Sequence, residues 1–196
     1  MPLSETNVSL QELLPQDFHQ EMSQLAGPQL DFLSAHTNSL TGPLPTELGL
    51  LTGMTHLSLS VSALTGLLPS EVGPLTSLTK LCVCDNELTG PLPTDSELGL
   101  LTGMTDLALN ANAFTGFLPT EVGLMTSLSR LRVHDNALTR PLPTELGLLT
   151  GMADLALHAS AFTGLLPSEV GLMITLFQLR VHDNALTGPL PTELGG

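Results

Sequence analysis

Leu78-Thr79-Lys80-Leu81-Cys82-Val83-Cys84-Asp85-Asn86-Glu87-Leu88-Thr89-Gly90-Pro91-Leu92-Pro93 is the stretch that decides the fold. Leu81 and Val83 alternate with neighbours suited to solvent, which is the period-two signature of a short strand with one buried side. Asp106-Leu107-Ala108-Leu109-Asn110 repeats it, with Leu107 and Leu109 expected inward. Asn86, and then Gly90 and Pro91, mark where the strand ends and the chain turns.

Shifting the chain against itself brings this pattern back every 24 residues, with units starting at Leu40, Leu64, Leu88, Phe114, Leu138, Phe162 and Leu186. The third unit is two residues longer, at Thr94-Asp95-Ser96-Glu97, and a partial unit, Leu30 to Ser39, precedes the first. Strands one unit apart run the same way, so they stack as a parallel sheet at about 4.8 Å spacing. Each turn leaves backbone N–H and C=O groups without ladder partners. The polar column Asn38, Ser62, Asn86, Asn112, Asn136, Ser160 and Asn184 is placed to satisfy them. The Glu-Leu-Gly or Glu-Val-Gly that follows is expected to form a short helical or 3₁₀ turn on the far side.

The order Leu-x-x-Leu-x-Leu-x-x-Asn followed by Leu-Thr-Gly-x-Leu-Pro resembles the leucine-rich-repeat family in its plant-type subclass, over residues 30 to 196. The resemblance implies an α/β solenoid: a right-handed coil with a concave parallel β-sheet, 3₁₀ or helical turns on the convex side, and a small second strand near the Leu-Pro. It also implies a role in holding a partner. The cysteine-paired caps usual in secreted members are absent.

Residues 1–29 read as a separate amino-terminal helical cap. Ser9-Leu10-Gln11-Glu12 matches a capping box, and Phe18, Met22 and Leu25 fall on one face of a helix over 9 to 26 that Gly27-Pro28 stops. Residues 30–196 form the solenoid, with one partial, six full and one truncated repeat. Gly195-Gly196 falls inside a repeat, so a partner covering that end is one expectation.

Composition bounds the function. Hydrophobic residues make up 42% of the 196, aromatics 3%, and there is no Trp or Tyr, so aliphatic side chains must fill the core. Five Lys and Arg against nineteen Asp and Glu give a formal charge of −14, which repels phosphate backbones and argues against nucleic acid as a partner. No run approaches the roughly 18 apolar residues of a membrane span, and the amino terminus lacks the basic and apolar segments of a secretory signal. The chain as given therefore reads as soluble, and its compartment stays open. Cys82 and Cys84, the two cysteines, exclude a disulfide framework. They point the same way from one strand, about 6.6 Å apart at two strand rises, and are expected as free thiols.

Placing the strands puts four columns on the outer face of the sheet. The first runs Phe32, His56, Lys80, Asp106, Arg130, Asp154 and Gln178; the second Ser34, Ser58, Cys82, Ala108, Arg132, Ala156 and Arg180. The third holds His36, Ser60, Cys84, Asn110, His134, His158 and His182, and the fourth, at the strand ends, Thr37, Val61, Asp85, Ala111, Asp135, Ala159 and Asp183. Four of the five basic residues, Lys80, Arg130, Arg132 and Arg180, fall here, with Arg140 elsewhere, while glutamates such as Glu71 and Glu145 line the convex side. The expected partner-binding residues are His56, Lys80, Asp106, Asn110, Arg130, Arg132, His134, Asp154, His158, Arg180 and His182. The plainer alternative is that Asp106, Arg130 and Asp154 compensate one another across strands.

The row His134, His158 and His182, beside Asp135 and Asp183, offers transition-metal donors. Duplication of one surface histidine accounts for the row without closed coordination geometry, and the expectation is that no metal is bound. Three adjacent imidazoles disfavour one another's protonation, so the face is expected to change charge below about pH 6. No nucleophile stands beside an oriented base that the repeat itself does not explain, no phosphate-cradling loop is present, and no cofactor is called for. The expectation is a non-enzymatic scaffold that binds a protein or peptide on the concave sheet. The alternatives are a surface that binds carbohydrate, metal or ice through the column Thr41 to Thr187, or a structural subunit of a large assembly.

Overall fold

The computed structural model describes residues 8–9, 30–94 and 96–195. With strands numbered in chain order, one parallel sheet holds β1 (Val8–Ser9), β2 (Phe32–Ser34), β4 (His56–Ser58), β6 (Lys80–Cys82), β8 (Asp106–Ala108), β10 (Arg130–Arg132), β12 (Asp154–Ala156) and β14 (Gln178–Arg180) in that spatial order. A second parallel sheet of seven holds β3 (Thr41–Pro43), β5 (Ala63–Gly66), β7 (Glu87–Pro91), β9 (Ala113–Gly116), β11 (Ala137–Pro141), β13 (Ala161–Leu165) and β15 (Ala185–Thr187). These are the small second strands, lying on the Leu-Thr-Gly segment. The helix expected over 9 to 26 lies, but for Ser9, outside the described residues; Val8 and Ser9 pair in parallel with β2.

Register shows why the period matters. Leu33, Leu57, Leu81, Leu107, Leu131, Leu155 and Leu179 face one another from strand to strand. From Leu33 to Leu155 all are buried, and Leu109 is buried beside Leu107. A one-residue slip would turn every leucine to solvent, so the hydrophobic pattern fixes the pairing. The two extra residues of the third unit leave it intact: Leu81 still pairs with Leu107, and the insertion is absorbed at α1 (Ser96–Gly99), where the other units have a 3₁₀ turn. Phe114 and Phe162 fill the centre of the core.

The Asn column does what its position requires. The Asn86, Asn112, Asn136 and Asn184 side chains accept from the N–H of Leu64, Leu88, Phe114 and Phe162 at 3.0–3.1 Å, and each donates to carbonyls of its own and the preceding unit. Just before them the fourth column turns left-handed, with φ between 49° and 59° at Thr37, Val61, Asp85, Ala111, Asp135, Ala159 and Asp183. These are therefore turn residues and not extensions of the strands. Asp tolerates that conformation, whereas β-branched Val61 is strained in it.

On the convex side the glycine of Glu-Leu-Gly is there for space. A Cβ on Gly147 would sit 2.5 Å from the Cβ and 2.7 Å from the carbonyl oxygen of Glu169 one unit on, and one on Gly123 would sit 2.5 Å from the Glu145 carbonyl oxygen. The turns of successive units pack backbone to backbone, and any side chain there would pry them apart.

Candidate partner-binding face

The outer face of the eight-stranded sheet carries a connected set of charges. Lys80, Asp106, Arg130 and Asp154 stand opposite one another on β6, β8, β10 and β12. The Arg130 guanidinium meets Asp106 at 2.9 Å, Arg132 lies 3.8 Å from both Asp106 and Asp154, and Arg180 donates to the two Asp154 oxygens at 3.1 and 3.3 Å. Asp154, expected as a contact residue, is instead only 7% exposed, because Arg132 and Arg180 close over it. A buried carboxylate persists only with such partners. Compensation between strands is thus real, and it is incomplete: three guanidiniums share two carboxylates, and Lys80 makes no ion pair among the described residues. Within this patch the four cations Lys80, Arg130, Arg132 and Arg180 outnumber the two carboxylates, while Asp85, Asp135 and Asp183 stand at the strand ends beside it, on a chain whose net charge is −14.

Beside this network the face sinks into a hollow of about 360 Å³, walled by Phe32, His56, Lys80, Cys82, Asp106 and Arg132, with Ser34 and Ser58 between them. The Phe32 and His56 rings lie 5.7 Å apart, tilted by 35°. A hollow with the Phe32 ring in its wall and charged groups at its rim can take one apolar side chain and orient the chain that bears it. The columns named each of these residues, but their meeting around one cavity was not legible from sequence.

At its edge the sulfurs of Cys82 and Cys84 are 2.8 Å apart, much closer than two strand rises, because the side chains lean together. The hydrogen bond between the two sulfurs holds the Cys82 thiol down at about 6 against the opposing effect of burial, and the same bond with burial pushes Cys84 well above the ordinary thiol range.

The three histidines form a stack. His134 and His158 lie 4.2 Å apart at 13°, and His158 and His182 4.5 Å apart at 22°. His134 Nδ1 is 2.6 Å from Asp135 Oδ2, and His182 Nε2 is 3.9 Å from Asp183 Oδ2. His158, in the middle, is held toward its neutral form by desolvation first and then by the charges of His134 and His182. Its Nδ1 is buried without a hydrogen-bond partner among the described residues. Asn110 occupies the same column two strands before His158, and His36 stands apart at the other end, beside Thr37.

Two further features bear on function. Thr89, Thr139 and Thr187 spend their hydroxyls on the Gly66, Gly116 and Gly164 carbonyls of the preceding unit, so these three members of the Thr column are part of the frame. Leu50, Leu100, Leu124, Leu148 and Leu172 form an exposed apolar stripe on the convex side, a feature the sequence reading did not single out. No helix among the described residues is long and apolar enough to cross a membrane.

No protein-family model matches the chain, and no curated protein matches it. Solved structures do. The leucine-rich-repeat ectodomain of the plant membrane receptor kinase GASSHO1/SCHENGEN3 from Arabidopsis thaliana, in complex with CASPARIAN STRIP INTEGRITY FACTOR 2, is 36% identical with a TM-score of 0.83, over 86% of this chain and 20% of that one. A TDR receptor is 30% identical, with a TM-score of 0.83 over 85% and 29% of the two chains. The Arabidopsis receptor kinase HAESA, in complex with the peptide hormone IDA and a co-receptor, is 29% identical, with a TM-score of 0.81 over 85% and 28%. The chain thus spans between 20% and 29% of the length of these receptor structures. Register, turn chemistry and these likenesses agree, and the chain belongs to the leucine-rich-repeat family, with repeats of the plant type.

Proposed function

We propose that this chain binds an extended peptide, or an extended segment of a protein, on the outer face of its eight-stranded sheet, and that it acts by binding and not by catalysis. The observation that carries the reading is the hollow at Phe32, His56 and Lys80, next to a network with surplus positive charge on an acidic chain. The partner places an apolar side chain in the hollow and acidic groups over Lys80, Arg130, Arg132 and Arg180. Asp106 and the buried Asp154 hold those guanidiniums in place, and Asn110, His134, His158 and His182 extend the contact toward the strand ends. Support comes from the HAESA structure, in which a related solenoid is seen with a peptide hormone.

Panning a random peptide library on the full chain tests this. Binders should carry an apolar residue flanked by Asp or Glu, and should lose at least about tenfold in affinity on Lys80→Glu or His56→Ala while ignoring the convex change Glu71→Lys. Binders indifferent to both sheet variants would overturn the reading.

A further inference from the structure

We propose that His134, Asp135 and His158 bind one divalent transition-metal ion at the strand-end edge of the sheet. One donor atom from each of the three lies within 4.8 Å of the other two, the only such group of three among the described residues. Their anchors are set by the main chain. Arg132 pairs with Ala156, and the ladder runs on to the Asp135 N–H, which donates to the His158 carbonyl at 3.2 Å, so both imidazoles leave neighbouring strands at one level.

Donors in a tetrahedral nitrogen and oxygen site lie about 3.3 Å apart, given bonds of about 2.0–2.1 Å. The cluster must therefore close by roughly 1.5 Å at its widest separation. The means are present: Asp135 is exposed, so its carboxylate can open from the 2.6 Å contact with His134 Nδ1 to the donor spacing, and imidazoles turn about their own bonds without moving the strands. His158 Nδ1 supplies the independent sign. It is buried without a partner, and a buried polar atom in a native fold ordinarily has one. Turned toward Asp135, that nitrogen gains the ion as its partner.

The stacking of the three rings and the 2.6 Å hydrogen bond from His134 to Asp135 are complete without metal, but neither accounts for the orphaned His158 nitrogen. Imidazole with one carboxylate selects zinc, nickel, cobalt or copper over calcium or magnesium, which favour oxygen-only shells. His182, stacked on His158, is the nearest fourth donor.

The test is titration of the full chain with Zn²⁺ and Ni²⁺ by calorimetry. It is run in a Cys82→Ser, Cys84→Ser background so that thiolates do not compete, with circular dichroism confirming that each variant is folded. One ion per chain is expected, with affinity reduced at least about tenfold by either His158→Ala or Asp135→Asn and unchanged by His36→Ala. In the Co²⁺ complex, the visible spectrum should show d–d bands that the His158 variant lacks. Absence of binding at millimolar metal, or binding that survives both substitutions, overturns the proposal. Binding seen only when Cys82 and Cys84 are present overturns it too, and moves the ion to the thiols.

Discussion

The Arg140 guanidinium carbon lies 5.8 Å from the centre of the Phe117 ring, and Arg140 itself is left-handed at φ 69°, at the position where the other units have glycine. The contact to Phe117 offsets part of the backbone cost. A left-handed non-glycine residue costs about 1–2 kcal/mol and an exposed cation over a ring returns about 0.5–1. In denaturant unfolding, Arg140→Gly should therefore gain about 1 kcal/mol, and Arg140→Ala, which keeps the strain and drops the contact, should lose stability. If glycine proves less stable than arginine, the left-handed turn is wrong.

Ser160 interrupts the Asn column. Its Oγ is buried without a partner, and no asparagine receives the Leu138 N–H as Asn136 receives that of Phe114. Ser160→Asn should place an acceptor on Leu138 and donors on the carbonyls of Val133 and Leu157, raising stability by about 1–2 kcal/mol. A loss would mean that the ladder cannot close there.

Leu107 is 1% exposed between Leu81 and Leu131. Truncating it opens a cavity between stacked units, so Leu107→Ala should cost about 2–5 kcal/mol in the same assay. A change below about 0.5 kcal/mol would contradict the inward assignment.

Cys82 is the reactive thiol of its pair. Its alkylation by iodoacetamide should rise through a midpoint near pH 6, since below that pH the nucleophilic thiolate is protonated, while Cys84 stays unmodified. Cys84→Ala removes the stabilising hydrogen bond and should return the midpoint toward the ordinary thiol range. A profile that Cys84→Ala leaves in place would show that the pair does not share a proton.

Much of this architecture was legible in the residues because the repeat makes local pattern and tertiary position the same thing. Leu107, Leu131 and Leu155 had to stack once the period was 24, and the Asn column had to meet the turn it caps. What escaped the sequence depended on side-chain torsion and close approach. Nothing in the spacing of Cys82 and Cys84 shows that their sulfurs meet, and Gly147 looks like any turn glycine until the Glu169 backbone is seen above it. The burial of Asp154 likewise follows from how Arg132 and Arg180 fold, not from its place in a column.

The central claim, that a partner sits on the outer face of the eight-stranded sheet, is tested most directly by photo-crosslinking a selected peptide to the chain and mapping the sites by mass spectrometry. Cross-links at Phe32, His56, Lys80 and Arg132 are the predicted result. Cross-links confined to the convex leucines, Leu100, Leu124 and Leu148, would contradict it and place the docking surface on the opposite side of the coil.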